Sequence, residues 1–417
     1  MKVRKREVRM CVALLVTGCL VALVMAGCGS STTTSTPSTP APAPAETLRV
    51  GINYELSGGV ATYGQGSVDG FEMAIEKVNA AGGVNGKTIE IVKYDNRSDH
   101  AEATTLANRL FSQDKVLAAV GPATSGAFKA TIPVANNNKT PVISGSATAD
   151  DVTGQFQFNA DGSPVLDSSG KPVGLNDYAF RICFSDSFQG TAMASFAANN
   201  LGAKSAAIIT DTSSDYAKGL ARNFINTFTA GGGTIVAEEG FVGGDTDFNA
   251  IITKLTALSF DVIFVPGYYN EAGLIIKAAR AQGIDVPILG ADGFDSPELV
   301  NLAGAEALND IYFSNHYSSL STEPVVTTFI SEFKTKFGRD PDAFNALGYD
   351  LGMFVADALS RATAETGEAV RDALASTVNF AGVTGTFSVD NMHNPVKALV
   401  VIGLVNGEQA SSVNVSL

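Results

Sequence analysis

The sequence lacks the short motifs that mark common enzyme and nucleotide-binding sites. It has no GxSxG nucleophile elbow and no GxxxxGK[ST] phosphate loop. Gly64-Gln65-Gly66 is followed by Gly70 at the wrong spacing for a GxGxxG dinucleotide fingerprint. The three histidines, His100, His316 and His393, are too scattered to form a metal signature. The sequence therefore gives no support for catalysis, a cofactor or a bound metal, and we expect none of them.

Cysteine is also scarce, and most of it lies near the N-terminus. Cys11 and Cys19 belong to an apolar run from Met10 to Ala26 that follows five basic residues, which is typical of a secretory signal. The run is too short, and too rich in small residues at its end, to be a convincing membrane span. We predict a signal peptide over residues 1–27.

The signal ends in Leu23-Val24-Met25-Ala26-Gly27-Cys28, which resembles the bacterial lipobox, where the cysteine receives lipid and becomes the mature N-terminus. Met25 departs from the usual Leu, and the looser match ending at Cys19 would leave a very short apolar core. We therefore predict lipidation at Cys28. Residues 28–46 are rich in Ser, Thr, Pro and Ala and read as a tether. Cys183 then stands alone, which excludes an intrachain disulfide.

The charge balance argues against nucleic acid as a partner. The chain carries a formal net charge of −14, and removal of residues 1–27 takes away five basic residues and one acidic residue, which makes it −18. Such a chain does not attract a polyanion. Its contact with the membrane would be through the lipid anchor alone, which places it outside the cytoplasm, on the periplasmic side or at the cell surface.

Two similar units follow each other between Val116 and Asp151. Each has an apolar run, Val116–Val120 and then Pro141–Ser144, followed by a loop of small residues and a predicted helix start, at Ala127 and at Ala149. Ligands of parallel sheets bind outside the carboxyl ends of the strands, and a helix N-terminus favours an anion. The loops containing Ser125 and Thr148 could grip one carboxylate, or both residues could be ordinary N-caps.

The rest of the chain alternates strands with helices, which predicts an α/β fold of two doubly wound parallel-sheet lobes. Three successive helices, Glu323–Phe337, Asp342–Ala362 and Glu368–Val378, suggest that the chain returns to the first lobe. We predict two last strands, Gly385–Val389 and Val396–Val405, in the second lobe. The rhythm breaks between Asp151 and Tyr178, where Asp-Gly and Ser-Gly turns predict a surface hairpin.

Polar or aromatic residues recur just past the predicted strands. They are Tyr63, Ser125, Ser146, Thr148, Tyr216, Tyr268 and Asp292. Each alone has an ordinary explanation, because tyrosines at loop mouths are commonly packing residues and Asp before Gly is a good turn former. Together they are candidates for one binding site.

In order and spacing these features resemble the leucine/isoleucine/valine-binding proteins, which are type I periplasmic binding proteins of ABC transporters. The resemblance covers roughly 47–405 and rests on six modest motifs. They are SGGVATYG at 57–64, NAAGGVNG at 79–86, VKYD at 92–95, GPATS at 121–125, SGSAT at 144–148 and LGYD at 347–350.

The resemblance implies a residue-level site and a domain plan. It implies that Ser125 and Thr148 hold a carboxylate, while Thr148, the backbone of the Ser146-Ala147 loop and Asp292 hold an ammonium. Tyr63, Tyr216, Tyr268 and Phe344 would wall the site. Three crossovers near 185, 316 and 381 would form the hinge. Lobe 1 would then span 47–185 and 317–380, with a hairpin insertion at 151–178, and lobe 2 would span 186–316 and 381–417.

Two departures leave the ligand open. The family has Glu where this chain has Asp292, and it lacks the extra residues within 151–178. The main expectation is a lipid-anchored protein that captures a small amino acid, branched-chain or related, and delivers it to the membrane subunits of an ABC permease. The alternatives are a sensing receptor for an amino acid, amide or other small carboxylate, and an enzyme on the same fold, because fold does not fix function.

Overall fold

The computed structural model describes residues 47–415. The predicted signal peptide over 1–27, the lipidation site Cys28 and the tether over 28–46 lie outside the described residues. Within the described part, no helix is both long and apolar enough to cross a membrane.

The first sheet is entirely parallel and has the strand order β2-β1-β3-β4-β5. Its strands are β1 (Thr47–Tyr54), β2 (Thr88–Asp95), β3 (Ala118–Val120), β4 (Val142–Ser144) and β5 (Ala179–Arg181). The connecting helices are α1 (Ala61–Ala80), α2 (His100–Ser112) and α3 (Ser125–Asn138). Val50, Ile52 and Tyr54 of β1 are fully buried, as expected for a central strand covered on both faces.

The second sheet has the strand order β14-β13-β10-β9-β8-β6-β7. Its pairings are parallel from β10 to β7, whereas β13 is antiparallel to both β10 and β14. Its strands are β6 (Ser205–Asp211), β7 (Thr234–Phe241), β8 (Val262–Phe264), β9 (Ile288–Gly290), β10 (Ile311–Asn315), β13 (Leu399–Val405) and β14 (Glu408–Val415). Its helices are α4 (Asp186–Asn199), α5 (Asp215–Ala230), α6 (Asn249–Leu255), α7 (Tyr269–Ala281) and α8 (Pro297–Ala303). We call the two sheets with their helices the first and second lobes. The predicted fold class, α/β with parallel sheets in two lobes, is confirmed.

Three consecutive helices follow β10, as predicted: α9 (Pro324–Phe337), α10 (Ala343–Arg361) and α11 (Gly367–Ala375). Helix α10 begins with a capping box between Asp342 and Asn345 and packs along α1 of the first lobe. Two glycines permit this close approach. A Cβ at Gly70 would lie 2.0 Å from the Asn345 carbonyl oxygen, and one at Gly348 would lie 2.0 Å from that of Ser67. The chain thus returns to the first lobe after building most of the second.

The end of the chain differs from its prediction. Gly385–Val389 was expected to complete the second sheet, but β12 (Gly385–Phe387) pairs with β11 (Phe380–Gly382) in a separate two-stranded sheet. The carboxylate of Asp350 on α10 accepts the N–H groups of Val383 and Thr384 at 2.6 and 2.8 Å, which holds this hairpin against α10. Strand β14 was not predicted, because it is polar and mostly exposed and so has no apolar alternation.

The helix expected to start at Ala149 is also absent. Residues 150–153 form turns, and the next helix is α4, which begins at Asp186 beyond the 151–178 segment. Its first N–H, that of Asp186, donates to the Thr148 carbonyl oxygen at 2.8 Å. Strand β5 lies between the 151–178 segment and α4, so α4 follows β5 and no helix follows β4 directly.

Antiparallel bridges close two successive turns in the 151–178 segment, at Phe158↔Pro164 and Leu166↔Pro172, and a third bridge, Gly154↔Leu175, joins its two ends. Phe158 and Leu166 are 56% and 50% exposed. At the base of the segment, the N–H of Asn176 donates to the Thr153 carbonyl oxygen at 2.8 Å. The domain boundaries given above stay predictions, as does the role of this segment.

Candidate functional site

A small cavity lies between the two lobes, where the carboxyl ends of their strands meet. It is lined by Tyr63, Ala123, Thr124, Ser125, Ser146, Tyr216, Tyr268, Asp292, Gly293 and Phe344. Its free volume is only about 10 Å³, roughly the space of one water molecule, so the lobes must move apart before a larger molecule can enter. The structure brings seven of the nine predicted site residues to this one cavity. Ala147 and Thr148 do not line it but are buried in the adjoining loop.

Four of the lining side chains come from the first turns of helices. Tyr63 lies in the first turn of α1, and Ser125 is the first residue of α3. Tyr216 and Phe344 are the second residues of α5 and α10. The N-terminal ends of these helices carry partial positive charge and N–H groups without intrahelical acceptors. The site is therefore suited to bind an anionic group on at least one side.

Hydroxyl groups of the first lobe form one end of the cavity. Ser125 Oγ accepts the N–H of Ala149 at 3.1 Å, which leaves its own proton free to donate. Ser146 donates to the Ala123 carbonyl oxygen at 3.0 Å. The interpretation of Ser125 and Thr148 as N-caps is wrong, because Thr124 occupies the N-cap of α3 and Ser185 that of α4. This end can donate hydrogen bonds to a carboxylate.

The buried carboxylate of Glu55 fixes the loop that leads into α3. It accepts the N–H of Ala123 at 2.9 Å and both the N–H and the hydroxyl of Thr124, at 3.1 and 2.8 Å. Burial raises the pKa of Glu55, and these three hydrogen bonds oppose that rise. Glu55 thereby positions Ser125 from the end of β1, a role that the sequence analysis missed.

The carboxylate of Asp292 forms the opposite end, in the second lobe. Its Oδ1 accepts the hydroxyl of Tyr216 at 2.8 Å, and its Oδ2 lies 3.1 Å from Nε2 of His316. Its own backbone N–H donates to Oε1 of Gln189 at 3.2 Å. Burial is the main cause that raises the pKa of Tyr216, so the phenol stays protonated and donates. The carboxylate of Asp292 is thus fixed in position by two side chains and can accept a hydrogen bond from a cationic group.

Aromatic rings form the remaining wall. Tyr63 stacks on Phe344 with ring centroids 4.2 Å apart and meets Tyr268 edge-on at 5.6 Å. Tyr268 in turn stacks on Tyr216 at 5.1 Å. These rings offer an apolar surface between the hydroxyl end and the carboxylate end, which suits an aliphatic group.

A second buried carboxylate, Asp186, lies beside the site at the start of α4. It is fully buried, and neither of its oxygens has a hydrogen-bond partner within residues 47–415. Burial raises the pKa of Asp186 well above its usual range, and the charge of Asp292 raises it further. Oγ1 of Thr148 is likewise buried without a partner there. Asp186 has no signal in the sequence, because it looks like an ordinary first-turn acid after Ser185.

The lobes also contact each other directly around the cavity. The hydroxyl of Tyr63 donates to the Gly293 carbonyl oxygen at 2.5 Å, and Ser296 donates to Oγ1 of Thr62 at 3.1 Å. Nδ2 of Asn270 donates to the Gly59 carbonyl oxygen at 2.8 Å. We call these three hydrogen bonds the latch. They hold the two lobes together around the cavity.

Comparison with known proteins agrees with this architecture. Residues 47–409 match a family model described as "Periplasmic binding protein". The leucine-, isoleucine-, valine-, threonine- and alanine-binding protein of Pseudomonas aeruginosa is 28% identical over 347 residues, covering 83% of this chain and 86% of that protein.

Two solved structures are similar over nearly their whole length. One is LivJ from Streptococcus pneumoniae, a branched-chain amino acid transporter substrate binding protein in complex with isoleucine. It is 41% identical with a TM-score of 0.81, over 89% of this chain and 99% of that one. The other, a leucine binding protein (LivK) from Thermotoga maritima, is 34% identical with a TM-score of 0.78, over 88% and 98% of the two chains.

Proposed function

This chain belongs to the periplasmic binding protein family, in the branch that binds branched-chain amino acids, and from that premise we propose that it is the substrate-binding component of an ABC importer. It would capture a branched-chain or related small amino acid between its lobes and deliver it to the permease. Proteins of this family work outside the cytoplasm. The proposal includes no chemical step, and no cofactor.

One observation carries the proposal: the free hydroxyl donor of Ser125 and the carboxylate of Asp292 line the same small aromatic cavity. Ser125 and Ser146 lie at one end and Asp292 at the other. An amino acid has a carboxylate and an ammonium at a fixed short separation, and it can meet both ends at once. The rings of Tyr63, Tyr216 and Phe344 would surround an aliphatic side chain. The aromatic walls therefore support a branched-chain side chain over a charged one.

The roles of the individual site residues are part of this proposal. Ser125 and Thr148 would hold the ligand carboxylate, and the Thr148 hydroxyl, the backbone at Ser146 and Asp292 its ammonium. Thr148 and Ala147 would act from the adjoining loop, where the unpartnered Thr148 hydroxyl remains free to donate. Closure of the lobes would remove water and strengthen the charged contacts.

Attachment to the membrane is a separate part of the proposal. It rests on the lipobox-like sequence at Cys28 and on the tether that follows, which together place the folded lobes at the outer face of a membrane. No second membrane segment is required for this arrangement.

Ligand identity can be tested on freshly purified protein. Native mass spectrometry should show the mass of a bound amino acid, and calorimetric titration should show tight binding of leucine, isoleucine or valine. The matching amides and deaminated acids, which each lack one charge, should bind far more weakly. If an amide or deaminated acid binds as tightly as the amino acid, the ligand is another small carboxylate or amide and the proposal fails.

A further inference from the structure

His316 contacts the carboxylate of Asp292, the proposed acceptor of the ligand ammonium, but does not itself line the cavity. It follows directly after β10, and its Nε2 lies 3.1 Å from Oδ2 of Asp292. The side chains of the two residues are 1% and 5% exposed. His316 is thus the hydrogen-bond partner of Oδ2 of Asp292, whereas Tyr216 is the partner of Oδ1.

The protonation of the ring follows from its surroundings. A carboxylate oxygen can only accept, so the proton that joins the pair must sit on Nε2. Burial lowers the pKa of His316, and this outweighs the opposite effect of Asp292, so the ring is neutral at pH 7. Nδ1 then carries a lone pair, and it has no hydrogen-bond partner within residues 47–415.

Two further contacts keep the ring in one orientation. His316 stacks on Phe184 with ring centroids 3.8 Å apart and an interplanar angle of 16°. The backbone N–H of His316 donates to the Asn315 side-chain oxygen at 2.7 Å, which fixes the backbone that carries the ring. A ring held in this way offers its Nε2 proton in a fixed direction, which in turn fixes the plane of the Asp292 carboxylate.

We propose that His316 is a positioning residue for ligand recognition, which orients Asp292 through a neutral Nε2–H donor so that its remaining lone pairs meet the ligand ammonium. The inference rests on the proposed function, because it requires an amino group in the ligand. Tyr216 holds one oxygen of Asp292 and His316 the other, so the acid cannot rotate away from the cavity. A neutral donor also leaves the charge of Asp292 available to the ligand.

Protonation of His316 would have the opposite effect. A histidinium 3.1 Å from Asp292 would compete with the ligand ammonium for the same charge. The other charged group that acts on the ring is Lys397, two residues before β13, and its charge further disfavours a protonated ring. Affinity for an amino acid should therefore fall only when the pH drops through the lowered pKa of His316, which lies below the ordinary histidine value of about 6.5.

Two substitutions separate positioning from packing. His316→Phe keeps a ring against Phe184 but has no donor, whereas His316→Gln places an amide N–H near the former Nε2 and cannot take up a proton. A hydrogen bond to a charged group is stronger than one between neutral groups. We therefore expect its loss in His316→Phe to weaken the binding of leucine, isoleucine or valine about 10- to 100-fold. His316→Gln should stay within about threefold of wild type. Binding of 4-methylpentanoate, the deaminated analogue of leucine, should be equal in all three proteins.

Calorimetric titration at pH 7.5 and pH 4.5, with melting curves for each variant at both, decides the matter. The loss of leucine affinity between the two pH values should be larger in wild type than in His316→Gln. Unchanged leucine affinity in a folded His316→Phe protein would overturn the inference, as would equal losses for leucine and 4-methylpentanoate. If His316→Phe does not fold, identical pH dependence in wild type and His316→Gln overturns it instead. Wild-type protein that binds none of the three amino acids would refute the proposed function instead.

Discussion

The hydroxyl of Tyr63 in the first lobe donates to the carbonyl oxygen of Gly293 in the second at 2.5 Å. Gly293 directly follows Asp292, and its N–H donates to the hydroxyl of Tyr216 at 3.0 Å. One short segment therefore carries both the proposed ammonium acceptor and a contact that joins the lobes. Ligand binding and lobe closure are mechanically connected at this point.

Replacing Tyr63 by Phe removes this contact and keeps the ring that stacks on Phe344. A neutral hydrogen bond contributes about 0.5–1.5 kcal/mol, so affinity for the amino acid should fall by about 2- to 13-fold. Calorimetric titration gives the change, and a melting curve of the ligand-free variant shows whether the fold is intact. If affinity is unchanged, the hydroxyl makes no contribution to closure.

Asp292 is expected to be the most sensitive site residue. Loss of one partner of a buried charged pair costs about 2–5 kcal/mol, so Asp292→Ala should weaken amino acid binding roughly 30-fold or more. Asp292→Asn keeps the shape and removes the charge, and it should be nearly as damaging. Titration of both variants with the ligand that wild type retains tests this. Wild-type affinity in Asp292→Asn would show that the site does not read an amino group.

Asp186 should make the stability of the protein depend on pH. Its pKa is raised by burial first and by Asp292 second, so the folded protein holds this proton to a higher pH than the unfolded chain does. Its contribution to stability is thus fully present below its ordinary pKa of about 3.9 and is lost as the pH rises through the raised value.

Asp186→Asn has no charge to bury, so its stability should not fall as the pH rises through the raised pKa of Asp186. The variant should be more stable than wild type at neutral pH by about 1–3 kcal/mol, the usual cost of an unsatisfied buried group, and the difference should shrink toward pH 4. Thermal melts across that range, without ligand, provide the measurement. A constant difference at every pH would contradict the assignment of the raised pKa to Asp186.

The 151–178 segment should be dispensable for folding. Its tip residues Phe158 and Leu166 are half exposed, whereas Val152 and Thr153 at its base are fully buried. Replacing Gln155–Gly174 with a short Gly-Ser loop spares that base, so the melting temperature should stay within a few degrees. A shortened protein that fails to fold would place the hairpin in the core, and one that folds without binding ligand would make it a lid.

Cys28 should be the membrane anchor. Cys28→Ala should release folded protein from membranes without changing ligand affinity, because the tether separates the anchor from the lobes. Cell fractionation followed by titration of the released protein measures both properties. Recovery of the variant in the membrane fraction would exclude lipidation at this cysteine as the means of attachment.

Local sequence patterns predicted most elements, because apolar runs and helical spacing are set by neighbouring residues. The predictions were wrong where the structure of a segment depends on residues far away in the sequence. No helix forms at Ala149, since turns and the inserted hairpin follow the loop after β4, and the next helix, α4, begins only after β5. The strand at Gly385–Phe387 was placed in the wrong sheet, because its position depends on Asp350, which precedes it by more than thirty residues.

The candidate site shows the same limit. Tyr216, Tyr268 and Asp292 could be predicted because each follows a strand end or resembles a family position. Glu55, Asp186 and His316 could not, since their importance comes from what burial places beside them. His316 was considered only as a possible metal ligand, and a lone histidine gives no sequence signal for a contact with an acid 24 residues away.

The latch also determines how affinity and selectivity are divided. Its hydrogen bonds join protein to protein, from Tyr63 to Gly293, from Ser296 to Thr62 and from Asn270 to Gly59, and none involves the ligand. Their contribution is consequently the same whichever amino acid is enclosed. A substitution that removes a latch hydrogen bond and keeps the rings, such as Tyr63→Phe, should multiply every dissociation constant by one common factor and leave the ranking of amino acids unchanged. A substitution that changes a ring of the aromatic wall should reorder them. Overall tightness and preference among amino acids can thus change independently in this protein.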